Sequence, residues 1–287
     1  MTTVNAPIVV AVDGSDPALQ AVRWAAAAAA RENRPLRVVS VVEPAVPQAG
    51  YGIVTAQAYV DASRAFAEGA VDLARDVSAE AAPTATVTGD VLDGRPALVL
   101  REVSEHAHVV VLGRRGLGGA EGLALGSVTA DLAAHGQSPV VVVPEDTPTA
   151  GPVVVGVDGS PVSTGAIRTA FEQADFLGVP LIAVHAFGER GLALENLSEE
   201  QRRRISDEAV EALGSQLAGG LEDHPDVSVE TVVAAAGPAQ QILDAAREAQ
   251  LVVVGSRGRG GFRGLLLGST SQAVLHTAPC AVMIVRD

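Results

Sequence analysis

Apolar residues along this chain follow two rhythms that take turns. Short unbroken runs such as Ile8–Val12 predict strands buried on both faces. Longer stretches, in which an apolar residue returns every three or four positions, predict amphipathic helices. The first half reads as a strand at Ile8–Val12 and a helix in "ALQAVRWAAAAAARENR". That helix carries Ala18, Leu19, Val22, Ala25, Ala26 and Ala29 on one face, with Asp16 as N-cap and Pro17 in the first turn. The strand "LRVVSVVE" comes next, then an irregular arm over about 44–60, a helix near Ala62–Glu80 and a strand near Thr84–Thr88. A helix opening at "GRPALVLREVSEHA", the strand "HVVVL", a helix in "SVTADLAAHG" and the strand "PVVVVP" complete it. The second half repeats the order: "PVVVGVDGSP", a helix to Leu177, "PLIAVHAF", an arm at about 188–197 and a charged helix near Ser198–Leu217. It ends with "VSVETVVA", "GPAQQILDAAREA", "LVVVG", a helix and "CAVMIVRD". Alternating strand and helix units predict an α/β fold with open parallel sheets covered by helices on both faces.

The order repeats because the text repeats. Val110–Ser127 and Val252–Ser269 share 12 identities in 18 positions without a gap, and "IVVAVDGS" at Ile8–Ser15 returns as "VVVGVDGS" at Val153–Ser160. A spacing of 142 residues is the size of a domain rather than of a solenoid repeat. Two tandem domains are expected, 1–145 and 151–287, joined by the polar linker "PEDTPTAGP" at Pro144–Pro152.

Composition narrows the function. Each half has 17 acidic and 10 basic residues, with no basic tail or stripe, so no nucleic-acid partner is expected. All 20 basic residues are Arg, which excludes a Walker A loop and its lysine. The single cysteine, Cys280, rules out an intrachain disulfide and suits a reducing compartment; in "APCAVMIV" it reads as a packed thiol, with a reactive thiol as the alternative. The N-terminal text has no basic n-region, and no apolar run reaches 18 residues. Neither signal peptide nor membrane span is expected, and the expected location is cytoplasmic.

The candidate chemistry lies at two strand ends in each half. One is an aspartate just after the first strand, Asp13 or Asp158. The other is a glycine-rich loop after the fourth strand. It runs through Gly113, Arg114, Arg115, Gly116, Leu117, Gly118 and Gly119 to Gly126 and Ser127. Its second copy runs through Gly255, Ser256, Arg257, Gly258, Arg259, Gly260 and Gly261 to Gly268, Ser269 and Thr270. Glycines permit left-handed backbone angles, so that successive N–H groups can converge on an anion. The closing Gly-Ser opens a helix whose first N–H groups and dipole favour phosphate. Ser127, Ser269 and Thr270 add hydroxyls, and Arg114, Arg115 and Arg257 either neutralise phosphate charge or point to solvent.

"VDGS" followed by G-x2-G-x9-G-S near the end of a domain of about 140 residues resembles the universal stress proteins, twice over and across nearly the whole chain. It looks like the tandem form found in actinobacteria, including mycobacteria. The resemblance implies a Rossmann-like, adenine nucleotide α-hydrolase-like fold and the ATP-binding branch of the family, with ATP bound in each domain, with or without Mg²⁺. It places Asp13 and Asp158 at the adenosine end of the nucleotide. It also implies small residues at Ala11 and Gly156, and an adenine edge set against the backbone of Val41 and Ala186. Ala186 departs from the family's usual valine, which thins the packing on the ring.

No catalytic constellation stands out. The six histidines have no zinc spacing, no G-x-S-x-G elbow occurs, and one carboxylate per site is weak support for hydrolysis. His185 lies beside Ala186, near the expected nucleotide or packed in the core. No catalytic residues and no protein-held metal are assigned. The leading expectation is a nucleotide-dependent regulatory protein acting through an unidentified protein partner. Alternatives are a slow ATPase or phosphoryl- or adenylyl-transfer enzyme, a cyclic-nucleotide binder, and a structural module with ATP as folding ligand. The apolar last strands, "PVVVVP" and "CAVMIVRD", are expected to be covered by pairing, as an intrachain pseudo-dimer or a homodimer.

Overall fold

The computed structural model describes residues 5–43, 53–117, 125–186, 198–259 and 266–286. The chain divides into two compact units, Met1–Glu145 and Asp146–Asp287. The first unit runs β1 (Ile8–Ala11), α1 (Asp16–Arg31), β2 (Leu36–Val42), α2 (Ile53–Ala81), β3 (Val87–Asp93), α3 (Pro96–Ser104), β4 (Val109–Gly113), α4 (Ser127–His135) and β5 (Val140–Val143). Its sheet is parallel in the order β3-β2-β1-β4-β5. The second unit repeats this with β6 (Val153–Val157), α5 (Pro161–Leu177), β7 (Leu181–Ala186), α6 (Glu199–Asp223), β8 (Val229–Ala234), α7 (Pro238–Ala245), β9 (Leu251–Gly255), α8 (Ser269–Thr277) and β10 (Ala281–Val285). Its order is β8-β7-β6-β9-β10, again parallel.

Valine runs make the central strands because both faces are covered. All five residues of β4 and of β9 are buried. The covering helices are rich in small residues: Ala18, Ala21, Val22, Ala25, Ala26, Ala28 and Ala29 of α1 are buried, which lets that helix lie close to the sheet. Leu19, expected on this face, is only half-buried.

Four local readings change. The cap of α1 is Ser15, whose Oγ accepts from Ala18 N, and Asp16 is the first helical residue, where its charge favours the helix dipole. Ser160 does the same for α5. The strand expected near Thr84–Thr88 lies later. It pairs with β2 from Leu36↔Val87 to Val42↔Asp93, and Gly89 and Asp90 stay within it although they read as breakers. As an edge strand, β3 tolerates exposed polar side chains, and Arg37 Nε donates to Asp90 Oδ2 at 2.7 Å. The second helix starts at Ile53, so the arm expected at 44–60 is helical over its last part. Residues 44–52 and the arm at 188–197 lie outside the described residues. The charged helix of the second unit likewise extends to Asp223.

Candidate functional site

Strand order reverses once in each sheet. From β1 the chain builds outward through β2 and β3, then returns to the other side of β1 with β4; β6 and β9 are the matching pair. Loops leaving two such strands part in opposite directions and open a crevice beyond their carboxyl ends. The aspartate follows β1 or β6, and the glycine loop follows β4 or β9. In the first unit a cavity of about 380 Å³ opens there, within the roughly 300–1,000 Å³ of small-molecule sites. Its lining includes Ala11, Asp13, Val41, Gly113, Arg115, Gly116, Gly126 and Ser127. These residues, up to 116 apart in sequence, converge because the crossover of the sheet sets β1 beside β4.

Asp13 joins the two loops. Its Oδ1 accepts from Ser15 N at 3.1 Å and Ser15 Oγ at 2.6 Å, which holds the turn into α1. Its Oδ2 accepts from Leu117 N at 2.7 Å, across 104 residues of sequence. The second unit has the same latch: Asp158 Oδ1 accepts from Ser160 N at 3.0 Å and Oδ2 from Arg259 N at 2.7 Å. Between each aspartate and serine, Gly14 and Gly159 have φ of +83° and +74°, the left-handed region that glycine occupies without penalty. Burial pushes the Asp158 carboxyl up. Hydrogen bonds from the Ser160 side chain and backbone and from the Arg259 backbone, with the Arg259 charge, outweigh burial and hold it below its ordinary value near 3.8.

The loop glycines have a different cause from the one expected. None of Gly113, Gly116, Gly126, Gly255, Gly258 and Gly268 has positive φ. Four of them, Gly113, Gly116, Gly255 and Gly258, are glycine because other atoms come close; at Gly126 and Gly268 an added Cβ would meet only ordinary contacts, at 3.5 Å and 3.6 Å. A Cβ on Gly116 would overlap Asp13 Oδ2, and one on Gly258 would overlap Asp158 Oδ2. A Cβ on Gly113 would stand 2.8 Å from the Pro17 carbonyl, and one on Gly255 would stand 2.9 Å from Val162 Cγ1. Gly118, Gly119, Gly260 and Gly261 lie outside the described residues.

The far end of the loop is tied back to its start. Gly126 N donates to Arg114 O and Arg114 N to Val143 O, both at 2.9 Å. In the second unit Gly268 N donates to Ser256 O at 2.8 Å and Ser256 N to Val285 O at 2.7 Å. The backbones of Arg114 and Ser256 are therefore framework. Helices α4 and α8 begin at Ser127 and Ser269 with glycine N-caps and no side-chain cap bond, and Thr270 follows in the first turn of α8. Ser127, Val128 and Thr129 line the cavity, so the first turn of α4 faces it. Such a turn presents N–H groups and the positive dipole end to an anion. Arg115 also lines the cavity, and its Nη2 donates to Glu145 Oε1 at 3.2 Å. Leu117 contributes its N–H and leaves its side chain exposed.

Several contributors were not singled out from sequence. Val39, Pro96, Leu100 and Leu112 form apolar walls. Thr129 Oγ1 donates to Gly113 O at 3.0 Å, and Ser271 Oγ donates to Gly255 O at 2.6 Å, securing the strand end to the helix. Laying one copy over the other finds this pair, since both hydroxyls stand three residues after the last loop glycine. Arg101 on α3 binds Asp131 on α4 through both carboxylate oxygens, with Nε–Oδ2 at 2.6 Å, joining the two helices that flank the site.

In the second unit Gly156 lies beneath Ile242 Cδ1, which would stand 2.6 Å from an added Cβ. Ala186 ends β7 half-buried, and the His185 ring nitrogen Nδ1 is 2.8 Å from Val157 O, a backbone tie that fixes the imidazole. No group of three or more His, Cys, Asp or Glu gathers to hold a metal among the described residues. No helix there is long and apolar enough to cross a membrane.

Comparison with known proteins agrees with this architecture. The universal stress protein family profile matches residues 5–144 and 150–286. A universal stress protein of Mycobacterium tuberculosis is 39% identical, covering 98% of this chain and 95% of its own length. One from Mycolicibacterium smegmatis is 37% identical, covering 97% and 96%. The crystal structure of a universal stress protein from Archaeoglobus fulgidus superposes with a TM-score of 0.68 at 20% identity, covering 98% of this chain and 96% of that one, a likeness of fold. With the same latch and loop in each half, the chain belongs to the universal stress protein family as a tandem pair of its domains.

Proposed function

We propose that this protein binds an adenine nucleotide in each domain, with ATP as the leading ligand, and acts as a nucleotide-dependent regulatory switch. The observation that carries the reading is the first-unit cavity, whose lining changes character from end to end. Val39, Val41, Pro96 and Leu100 offer apolar walls suited to a base, and Asp13 offers a carboxylate. The glycine loop and the uncapped first turn of α4 offer N–H groups suited to phosphate. Among the described residues, Asp13 and Arg115 are the charged side chains that line the cavity, and Asp13 already holds Ser15 and Leu117. That supports binding over turnover, because a carboxylate occupied by two structural partners is poorly placed to activate water. Mg²⁺, when carried by the nucleotide, would be held by phosphate rather than by a protein ligand set.

Occupancy regulates if bound and free loops present different surfaces to a partner protein, which requires only that the ligand favour one state. Pairing of the terminal strands, within a chain or between two chains, belongs to the same proposal and is read by light scattering. The central test is calorimetric titration of ligand-free protein with ATP, AMP and cyclic AMP, beside mass spectrometry of what co-purifies. Saturable ATP binding that approaches two per chain is expected. The absence of binding by all three ligands would overturn the reading, and preference for cyclic AMP would replace ATP as the ligand.

A further inference from the structure

The two loops differ at the residue that supplies the latch N–H. In the first unit it is Leu117, whose side chain is 61% exposed. In the second it is Arg259, which binds the aspartate turn twice. Its N–H donates to Asp158 Oδ2 at 2.7 Å, and its Nη2 donates to Gly159 O at 3.3 Å. The guanidinium lies against Gly159 so closely that a Cβ there would overlap it. A positive charge is thus folded back over the aspartate turn, held by one side-chain bond to a neutral carbonyl and by the attraction of the Asp158 carboxylate.

The surroundings differ in the same sense. Arg257 and Arg286 leave adjacent strands at the same end, since Gly255 pairs with Val285 and Ser256 N donates to Val285 O. Burial and the nearby Arg257 charge both lower the Arg286 pKa, which reflects two guanidinium groups held close together. The matching places in the first unit are Arg115, which donates to Glu145, and Pro144. Arg114 of the first loop has its Nε buried, and its counterpart is Ser256. The second loop therefore carries both Arg257 and Arg259, with Arg286 beside Arg257, while in the first loop Arg115 pairs with Glu145 and Leu117 stands in place of Arg259. Like charges held together gain most from a ligand that carries several negative charges.

Resting on the nucleotide reading above, we infer that the second site is selective for a polyphosphate chain: Arg259 leaves Gly159 for phosphate oxygens when a triphosphate binds, so this site separates ATP from AMP more sharply than the first. The first site, with Leu117 in that position, depends more on the nucleoside and discriminates less by charge.

The test is calorimetry on the full chain with ATP and with AMP, for the intact protein, Arg259→Leu and Leu117→Arg. Repeating the titrations with Asp13→Ala, which weakens the first site, assigns each affinity to its domain. Arg259→Leu is expected to lower the ATP-to-AMP affinity ratio of the second site by roughly tenfold or more, the loss of one charge-assisted hydrogen bond to phosphate. Leu117→Arg is expected to raise the ratio at the first site, which keeps the inference testable if Arg259→Leu folds poorly. Equal losses for ATP and AMP in Arg259→Leu would make Arg259 a merely structural tie and overturn the inference while leaving nucleotide binding intact. An intact chain that binds neither ligand would overturn the nucleotide reading itself.

Discussion

Gly116→Ala tests the cause assigned to the loop glycines. Gly116 lacks positive φ, so alanine meets no backbone penalty there. The new Cβ overlaps Asp13 Oδ2, and the carboxylate must turn away. Turning it breaks the 2.7 Å bond from Leu117 N and disturbs the two bonds that Oδ1 accepts from Ser15. A hydrogen bond to a charged group contributes about 1.5–3 kcal/mol. The Leu117 bond is exposed, where water replaces part of it, so the lower end applies: about 1.5 kcal/mol, or roughly tenfold in nucleotide affinity at that site. The informative assay is a double-mutant cycle by calorimetry with Asp13→Ala. Once the carboxylate is gone, Gly116→Ala has nothing to strike and should be nearly neutral, giving a coupling of about 1.5 kcal/mol. If glycine were required for its conformation, the alanine would cost the same with or without Asp13. Additive effects in the cycle would therefore refute the steric account.

Three further outcomes follow from the same geometry. Asp158 has a lowered pKa in the folded state, so the stability it contributes is complete above the ordinary value near 3.8 and is lost as pH falls through the lowered one. The gap in melting temperature between the intact chain and Asp158→Asn should be level above about pH 5 and should close below about pH 4. Arg101→Ala should lower the denaturant midpoint of the first unit, because it removes both bonds that tie Asp131 on α4 to α3. The matching positions Leu243 and Ala273 carry no such pair, so the second unit should be unchanged. Steady-state phosphate release at saturating ATP and Mg²⁺ should fall far below the roughly 10 s⁻¹ typical of enzymes. A rate near that value, abolished by substituting Asp13 or Asp158, would favour the enzyme reading.

The sheets were legible because buried parallel strands leave a plain trace: "IVVA", "VVVL" and "LVVV" admit little besides β structure between helical repeats. The latch was not. Nothing in the sequence relates Asp13 to Leu117, because the bond depends on β1 lying beside β4, and that order is a property of the whole sheet. The position of β3 was obscured for the opposite reason. Edge strands need not be apolar, and the partner that keeps Gly89 and Asp90 extended is β2, about 50 residues earlier. The glycine frame was visible as a pattern, but its physical origin was not. Close approach of a carboxylate and need for a left-handed angle both write glycine, and only coordinates separate them.

The Asp13 latch also bears on competition among solutes. A lone inorganic phosphate arriving at the loop finds the Leu117 N–H already engaged by an anion that belongs to the same chain. A tethered carboxylate never diffuses away, so a free ion must compete with it at every encounter. A ligand that also gains free energy along the apolar walls near Val41 and Leu100 is not held to that contest, because it binds with the latch closed and takes its hydrogen bonds from the first turn of α4. On the nucleotide reading proposed above, the latch acts as a filter against small anions: abundant inorganic ions are turned aside, and molecules that span the cavity are admitted.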